Sequence, residues 1–166
     1  MEVYEIVFWF LAVVMGVSAL RVVTTGNVVH AALYLVATLL GAAMMFVLLY
    51  AEFVAWVQVL VYVGAIVVLM LFGLMLTRAP IGKGNLDNDQ RPLAALCALA
   101  VFVVSSVIMV DAFEGQEIDF TREAGTTSEQ VGDAIFSAFV LPFEVVSVLL
   151  LAALVGAVVI SQGTRS

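Results

Sequence analysis

Few side chains in this sequence could do chemistry, and several of them lie in one apolar stretch, residues 52–77. Gln58 and Tyr62 are four residues apart and so share one face of a helix, and Gly64 follows two residues later. The amide and the phenol either join helices by hydrogen bonds or contact water on a proton path, since both groups donate and accept. Gly64 in mid-helix predicts close packing or a π-type irregularity.

Two carboxylates complete the set of candidates. Glu52 opens the same stretch, where it either complements the helix dipole or supplies a charge. Glu144 lies ~14 Å deep if the last span begins at Ile135. A start at Pro142, a residue favoured in a first turn, places Glu144 in that turn and makes 135–141 a short interfacial piece. We prefer the Pro142 start, and Glu144 is a functional candidate because ionisable groups in membrane segments are rare.

The composition predicts an integral membrane protein. Hydrophobic residues make up 64% of the 166-residue chain and charged residues 11%, against ~45–50% and ~25% in soluble domains. One cysteine and one histidine are too few for a four-cysteine iron–sulfur site, a structural zinc site or a bis-histidine haem. We therefore expect no cofactor, no metal and no catalytic activity in the chain alone, and the net charge of -7 argues against nucleic acid as a partner.

The apolar runs predict an all-α fold with five transmembrane helices in a single domain, residues 1–166, embedded in the lipid bilayer. The expected helices are 4–21, 28–50, 53–77, 93–110 and 142–160, with a cytoplasmic loop at 78–92 and an external acidic loop at 111–133. Two pairs of small residues at helical spacing, Ala37 with Gly41 and Ala152 with Gly156, predict close contacts between helices.

The distribution of basic residues predicts the orientation. With the amino terminus outside and the carboxyl terminus in the cytoplasm, one base falls outside and the others inside, as the positive-inside tendency requires. The outside base is Arg122, and the inside bases are Arg21, Arg78, Lys83, Arg91 and Arg165. The external loop then carries the acids Asp111, Glu114, Glu117, Asp119, Glu123, Glu129 and Asp133.

Three segments resemble a known family. Residues 55–72 read AWVQVLVYVGAIVVLMLF, residues 27–35 read NVVHAALYL, and residues 140–152 read VLPFEVVSVLLLA. They resemble helix three, the entry to helix two and the last helix of the subunit J family of bacterial NADH:quinone oxidoreductase (respiratory complex I), the counterpart of mitochondrial subunit 6. With five spans, the resemblance covers nearly the whole chain.

The resemblance implies a membrane-arm subunit without a redox centre in the inner (plasma) membrane of a bacterium. Its expected neighbours are the subunits called A, H and K, and FMN, iron–sulfur clusters and quinone are expected on other subunits. The family's helix three can hold a π-bulge, here around Tyr62 to Ile66, whose conversion to α-helix is thought to gate a water path between quinone reduction and proton translocation. A valine at Gly64 is expected to crowd such a bulge.

One residue departs from the family pattern. Some members have a glutamate where this chain has Gln58, and that carboxylate is assigned to the proton path. Glutamine cannot bind or release a proton, so Gln58 could only orient water, and Glu52 would have to supply the charge.

Two alternatives to this function stay open. One is an ion-path or structural subunit of a related multi-subunit cation/proton antiporter or membrane hydrogenase. The other is a purely structural subunit that positions its neighbours. A stand-alone channel is disfavoured because so few polar groups line no continuous pore.

Overall fold

The computed structural model describes residues 3–77, 90–115 and 127–162. Within this part of the chain, five helices are long and apolar enough to cross a membrane: α1 (Val3–Thr24), α2 (Val28–Leu48), α3 (Glu52–Leu76), α4 (Arg91–Ala112) and α6 (Val140–Gln162). A short helix, α5 (Ser128–Phe136), precedes α6. The predicted all-α membrane fold with five spans is confirmed.

The main packed pair is α1 with α2. Gly41 of α2 is buried, and a Cβ placed on it would overlap the Cγ of Met15 on α1 and lie 3.1 Å from the Met15 Sδ. Lipid tails are as apolar as the side chains, so helix association in a bilayer depends on such close van der Waals contact. The close approach predicted from Ala37 and Gly41 is therefore found at Gly41.

A side-chain cap starts α2 directly after α1. Asn27 has an extended backbone, and its Oδ1 accepts hydrogen bonds from the backbone N–H groups of Val29 at 3.0 Å and His30 at 3.4 Å. These bonds satisfy amides that have no partner within a first helical turn. The chain can therefore reverse within a few residues, and α2 returns along α1.

The corner between α2 and α3 is equally short. The backbone N–H of Tyr50 donates to the Val47 carbonyl at 3.0 Å, and that of Ala51 donates to the Phe46 carbonyl at 2.9 Å. This pair of bonds is the Schellman motif, which satisfies the last carbonyls of a helix. As a result α3 begins at Glu52 and packs back against α2, with Ala55 and Val67 buried.

The helices α4 and α6 lie apart from the α1–α3 bundle. In the described part of the chain, α4 packs against no other helix and α6 packs only against α5. A Cβ on Gly156 would meet no heavy atom within 4 Å, so the predicted contact at Ala152 and Gly156 is not made within these residues. Among the described residues, the large apolar side chains of α4 and α6 are therefore mostly exposed.

The region around α5 differs from the prediction of one acidic loop at 111–133. Helix α4 continues to Ala112, and α5 begins at Ser128 behind a capping box. In that box the Thr127 hydroxyl accepts from the Gln130 backbone N–H, and the Gln130 Oε1 accepts from the Thr127 N–H, both at 3.3 Å. The Thr-x-x-Gln spacing was visible in the sequence, since it is the usual signature of a helix start.

Helix α6 begins at Val140, two residues before the predicted Pro142. The short interfacial piece predicted at 135–141 is replaced by helix α5 and the turn that follows it. The ring centroids of Phe136 and Phe143 lie 5.2 Å apart across that turn. The predicted loop 78–92 and the central part of the acidic loop, with Arg122, lie mostly outside the described residues. The orientation of the termini stays a prediction.

Candidate functional site in the third span

Helix α3 consists of three parts with different hydrogen bonding. Glu52–Val57 and Val68–Leu76 are α-helical, and Gln58–Val67 between them is a π-helix. In a π-helix each backbone N–H donates to the carbonyl five residues earlier instead of four. The π-type irregularity predicted around Tyr62 to Ile66 is confirmed, and at ten residues it is longer than the single-turn bulge that is usual in α-helices.

Gln58 and Tyr62 both belong to the π segment, Gln58–Val67. Gln58 is its first residue and is half-buried, while the Tyr62 side chain is 47% exposed. Neither side chain has a hydrogen-bond partner within the described part of the chain. The amide and the phenol therefore do not join the described helices to each other. They are left to bind water or a neighbouring subunit.

Gly64 is exposed in the middle of the π segment. A Cβ placed on it would lie 3.4 Å from the Val59 carbonyl oxygen, which is an ordinary van der Waals contact. The backbone φ of Gly64 is not positive, and Gly115 is the one glycine with positive φ among the described residues. Close packing within the described chain does not explain this glycine, and any crowding by valine would come from the γ-methyls or from a neighbouring subunit.

The two candidate carboxylates are placed differently. Glu52 is the first residue of α3 and is exposed, so it lies on the same helix as Gln58 and Tyr62. Glu144 is exposed near the start of α6, which does not contact α3 in the described residues. Helix α5 contacts both the first part of α3 and α6. No group of three His, Cys, Asp or Glu side chains in the described ranges could hold a metal ion.

A pair of tyrosines, one of which stands two residues before Glu52, was not foreseen from the sequence. The hydroxyl oxygens of Tyr4, in the first turn of α1, and Tyr50, in the α2–α3 corner, are 3.2 Å apart. The hydrogen bond with Tyr4 raises the pKa of Tyr50 above its ordinary value of 10.0, because it favours the protonated phenol. No sequence pattern connects two residues that are 46 positions apart.

The sequence is similar to those of several known proteins. The family described as NADH-ubiquinone/plastoquinone oxidoreductase chain 6 matches residues 18–160, which include all of α3. F(420)H(2) dehydrogenase subunit J of Methanosarcina mazei is 41% identical over 162 residues, which cover 95% of this chain and 90% of that protein. NADH-quinone oxidoreductase subunit J of Rhodobacter capsulatus is 34% identical over 173 residues, which cover 100% of this chain and 85% of that protein. The chloroplastic NAD(P)H-quinone oxidoreductase subunit 6 of Mesostigma viride is 40% identical over 147 residues, which cover 88% of this chain and 77% of that protein.

Proposed function

Because this chain belongs to the family of NADH-ubiquinone/plastoquinone oxidoreductase chain 6, we propose that it is a membrane-arm subunit of a proton-translocating NADH:quinone oxidoreductase. The chain itself is a non-redox subunit, and the enzyme activity belongs to the assembled complex, in which other subunits hold FMN, iron–sulfur clusters and quinone. Its proposed neighbours are subunits A, H and K. Its proposed location is a bacterial plasma membrane, with the amino terminus outside and the carboxyl terminus in the cytoplasm.

The observation that carries the mechanistic part of this proposal is the π segment, Gln58–Val67, in a membrane span of this family. An α-helix turns ~100° per residue, and a helix with longer hydrogen-bonded loops turns less. Conversion of the π segment to α-helix therefore rotates one end of α3 relative to the other. That rotation moves Tyr62 and Gly64 relative to their surroundings without unfolding the span.

The side chains of the π segment suit the control of water better than the transfer of protons. Gln58 can donate and accept hydrogen bonds but carries no ionisable proton at neutral pH. Tyr62 presents an exposed phenol with no hydrogen-bond partner in the described chain. In the proposed mechanism these groups order water in one state of α3 and lose that water when the helix rotates. The helix thereby opens and closes a water path.

The proton charge on this path is assigned to Glu52, with Glu144 as a second candidate on α6. Glu52 is exposed and lies on the helix that would rotate, six residues before Gln58. Helix α5 packs against both the α3 segment that contains Glu52 and the helix that contains Glu144. A carboxylate near a membrane span that has no ion-pair partner among the described residues is a candidate for proton relay.

Glu52→Gln is expected to slow proton translocation ~100-fold, the low end of the range for a positioned acid–base group, while the complex still assembles. The measurement is the uptake of protons into membrane vesicles during NADH oxidation. The matched control is Glu129→Gln on α5, an exposed acid that should leave translocation unchanged. Normal proton translocation in Glu52→Gln would remove Glu52 from the path.

The experiment that tests the function uses a tag placed after Ser166. A mild-detergent extract is purified on the tag, run on a native gel and stained in place for NADH oxidation. A very large band that oxidises NADH is the expected result. Recovery of the chain alone, from membranes in which the complex is intact, would contradict the proposal.

A second candidate concerns the electron donor. The relative from Methanosarcina mazei is named as a subunit of an F(420)H(2) dehydrogenase, and it is 41% identical to this chain. The same native gel stained with reduced F420 in place of NADH distinguishes the two donors. A large band that oxidises neither donor would favour the related antiporter or membrane hydrogenase.

A further inference from the structure

Tyr50 occupies a backbone conformation that side-chain-bearing residues rarely adopt. Its φ is 57°, and it is the one non-glycine residue with positive φ in the described part of the chain. It stands in the Schellman motif at the position just after the cap, where glycine or asparagine is usual. A Cβ is unfavourable in this left-handed region, so glycine would form the same turn with less backbone strain.

The phenol of Tyr50 contacts helix α1, a contact that a glycine at this position could not make. Its hydroxyl lies 3.2 Å from the hydroxyl of Tyr4, which is the second residue of α1. The two residues are 46 positions apart, so this bond joins the start of the first span to the corner between the second and the third. The strain at Tyr50 is thus associated with an interhelical hydrogen bond rather than with the turn alone.

The same corner fixes the start of α3. The Ala51 carbonyl accepts from the Ala55 N–H at 3.0 Å, and Ala55 is buried against α2. The Ala51 N–H is held by the Phe46 carbonyl at 2.9 Å. Ala51, the residue directly after Tyr50, therefore links the end of α2 to the first turn of α3 through two backbone hydrogen bonds.

We propose that Tyr4 and Tyr50 form a clasp that fixes the first turn of α1 to the corner from which α3 begins. The clasp explains why a strained tyrosine stands where glycine would be easier. It makes one rigid end of the bundle out of the start of α1, the end of α2 and the start of α3. This inference does not depend on the proposed gating by the π segment.

Hydrogen exchange of the assembled complex tests the clasp through Tyr4→Phe, Tyr50→Phe and the double variant. Each single variant removes one hydroxyl and keeps the ring. Amides in residues 3–12 should exchange roughly 2- to 10-fold faster in each of them, the range for one net hydrogen bond. The double variant should exchange no faster than the more affected single variant, because both substitutions remove the same bond. Tyr34→Phe removes a phenol hydroxyl from the middle of α2 and should change nothing in residues 3–12.

Tyr50→Gly separates the clasp from the turn. The amides of residues 50 and 51 should stay protected, because glycine suits the left-handed position, while residues 3–12 should lose protection as in Tyr4→Phe. The proposal is overturned if Tyr50→Phe leaves residues 3–12 unchanged. It is equally overturned if the effects of Tyr4→Phe and Tyr50→Phe add in the double variant.

Discussion

Gly41→Val is expected to reduce the amount of this chain in the assembled complex about 10- to 100-fold, which corresponds to ~1–3 kcal/mol of overpacking. A Cβ at Gly41 would overlap the Met15 Cγ, and the two γ-methyls of valine add further volume at the same contact. Met15 must change its rotamer, or α1 must move away from α2. Because the α1–α2 contact is the main packing within the described chain, either response weakens the whole bundle. The measurement is the tagged chain recovered in the large complex after mild-detergent extraction.

Two further variants distinguish this steric effect from a general intolerance of valine. Gly16→Val changes a glycine of α1 whose added Cβ would meet no heavy atom within 4 Å, so it should assemble normally. Met15→Ala combined with Gly41→Val shortens the side chain that is overlapped and should restore much of the lost assembly. Full assembly of Gly41→Val, or no recovery in the double variant, would show that Met15 and Gly41 do not set the distance between these helices.

Deletion of Val63 is expected to lower quinone-linked NADH oxidation about 100-fold while the complex still assembles, because a small misplacement in a working site can have an effect of that size. The π segment holds more residues per hydrogen-bonded loop than an α-helix, so one residue can be removed and the remainder can close as α-helix. The flanking parts of α3 would then keep their faces, while the side chains of the π segment are displaced and the span can no longer change form. The activity is compared with NADH oxidation by a soluble acceptor, which should be unchanged.

A deletion of Leu69 is the control for the shortened helix. Leu69 lies in the regular α-helical part, Val68–Leu76, where no extra residue is available. Its removal rotates residues 70–76 by ~100° and should impair assembly rather than turnover. If the Val63 deletion assembles and retains coupled quinone reduction, the π segment has no gating role. Its function would then be structural.

The sequence predicted the membrane architecture because that architecture depends on local composition. Each span needs about 20 consecutive apolar residues, and five such runs are readable without any contact information. The start of α2 was set by Asn27 next to its own helix, and the missed start of α5 was equally readable from Thr127 and Gln130. The position of the π segment came from the family resemblance of residues 55–72, since a π-helix has no sharp residue pattern of its own.

Three features were decided only by the tertiary structure. The extent of the π segment, Gln58–Val67, could be read only from the backbone hydrogen bonds of the structure. The contact of Gly41 with Met15 and the bond of Tyr50 with Tyr4 join residues far apart in the chain. The sequence by itself determined which segments enter the membrane, because that choice depends on the transfer of each segment from water to lipid. Which side chains meet between the helices was decided by the tertiary structure, because most partners there are almost equally apolar and are selected mainly by their shape.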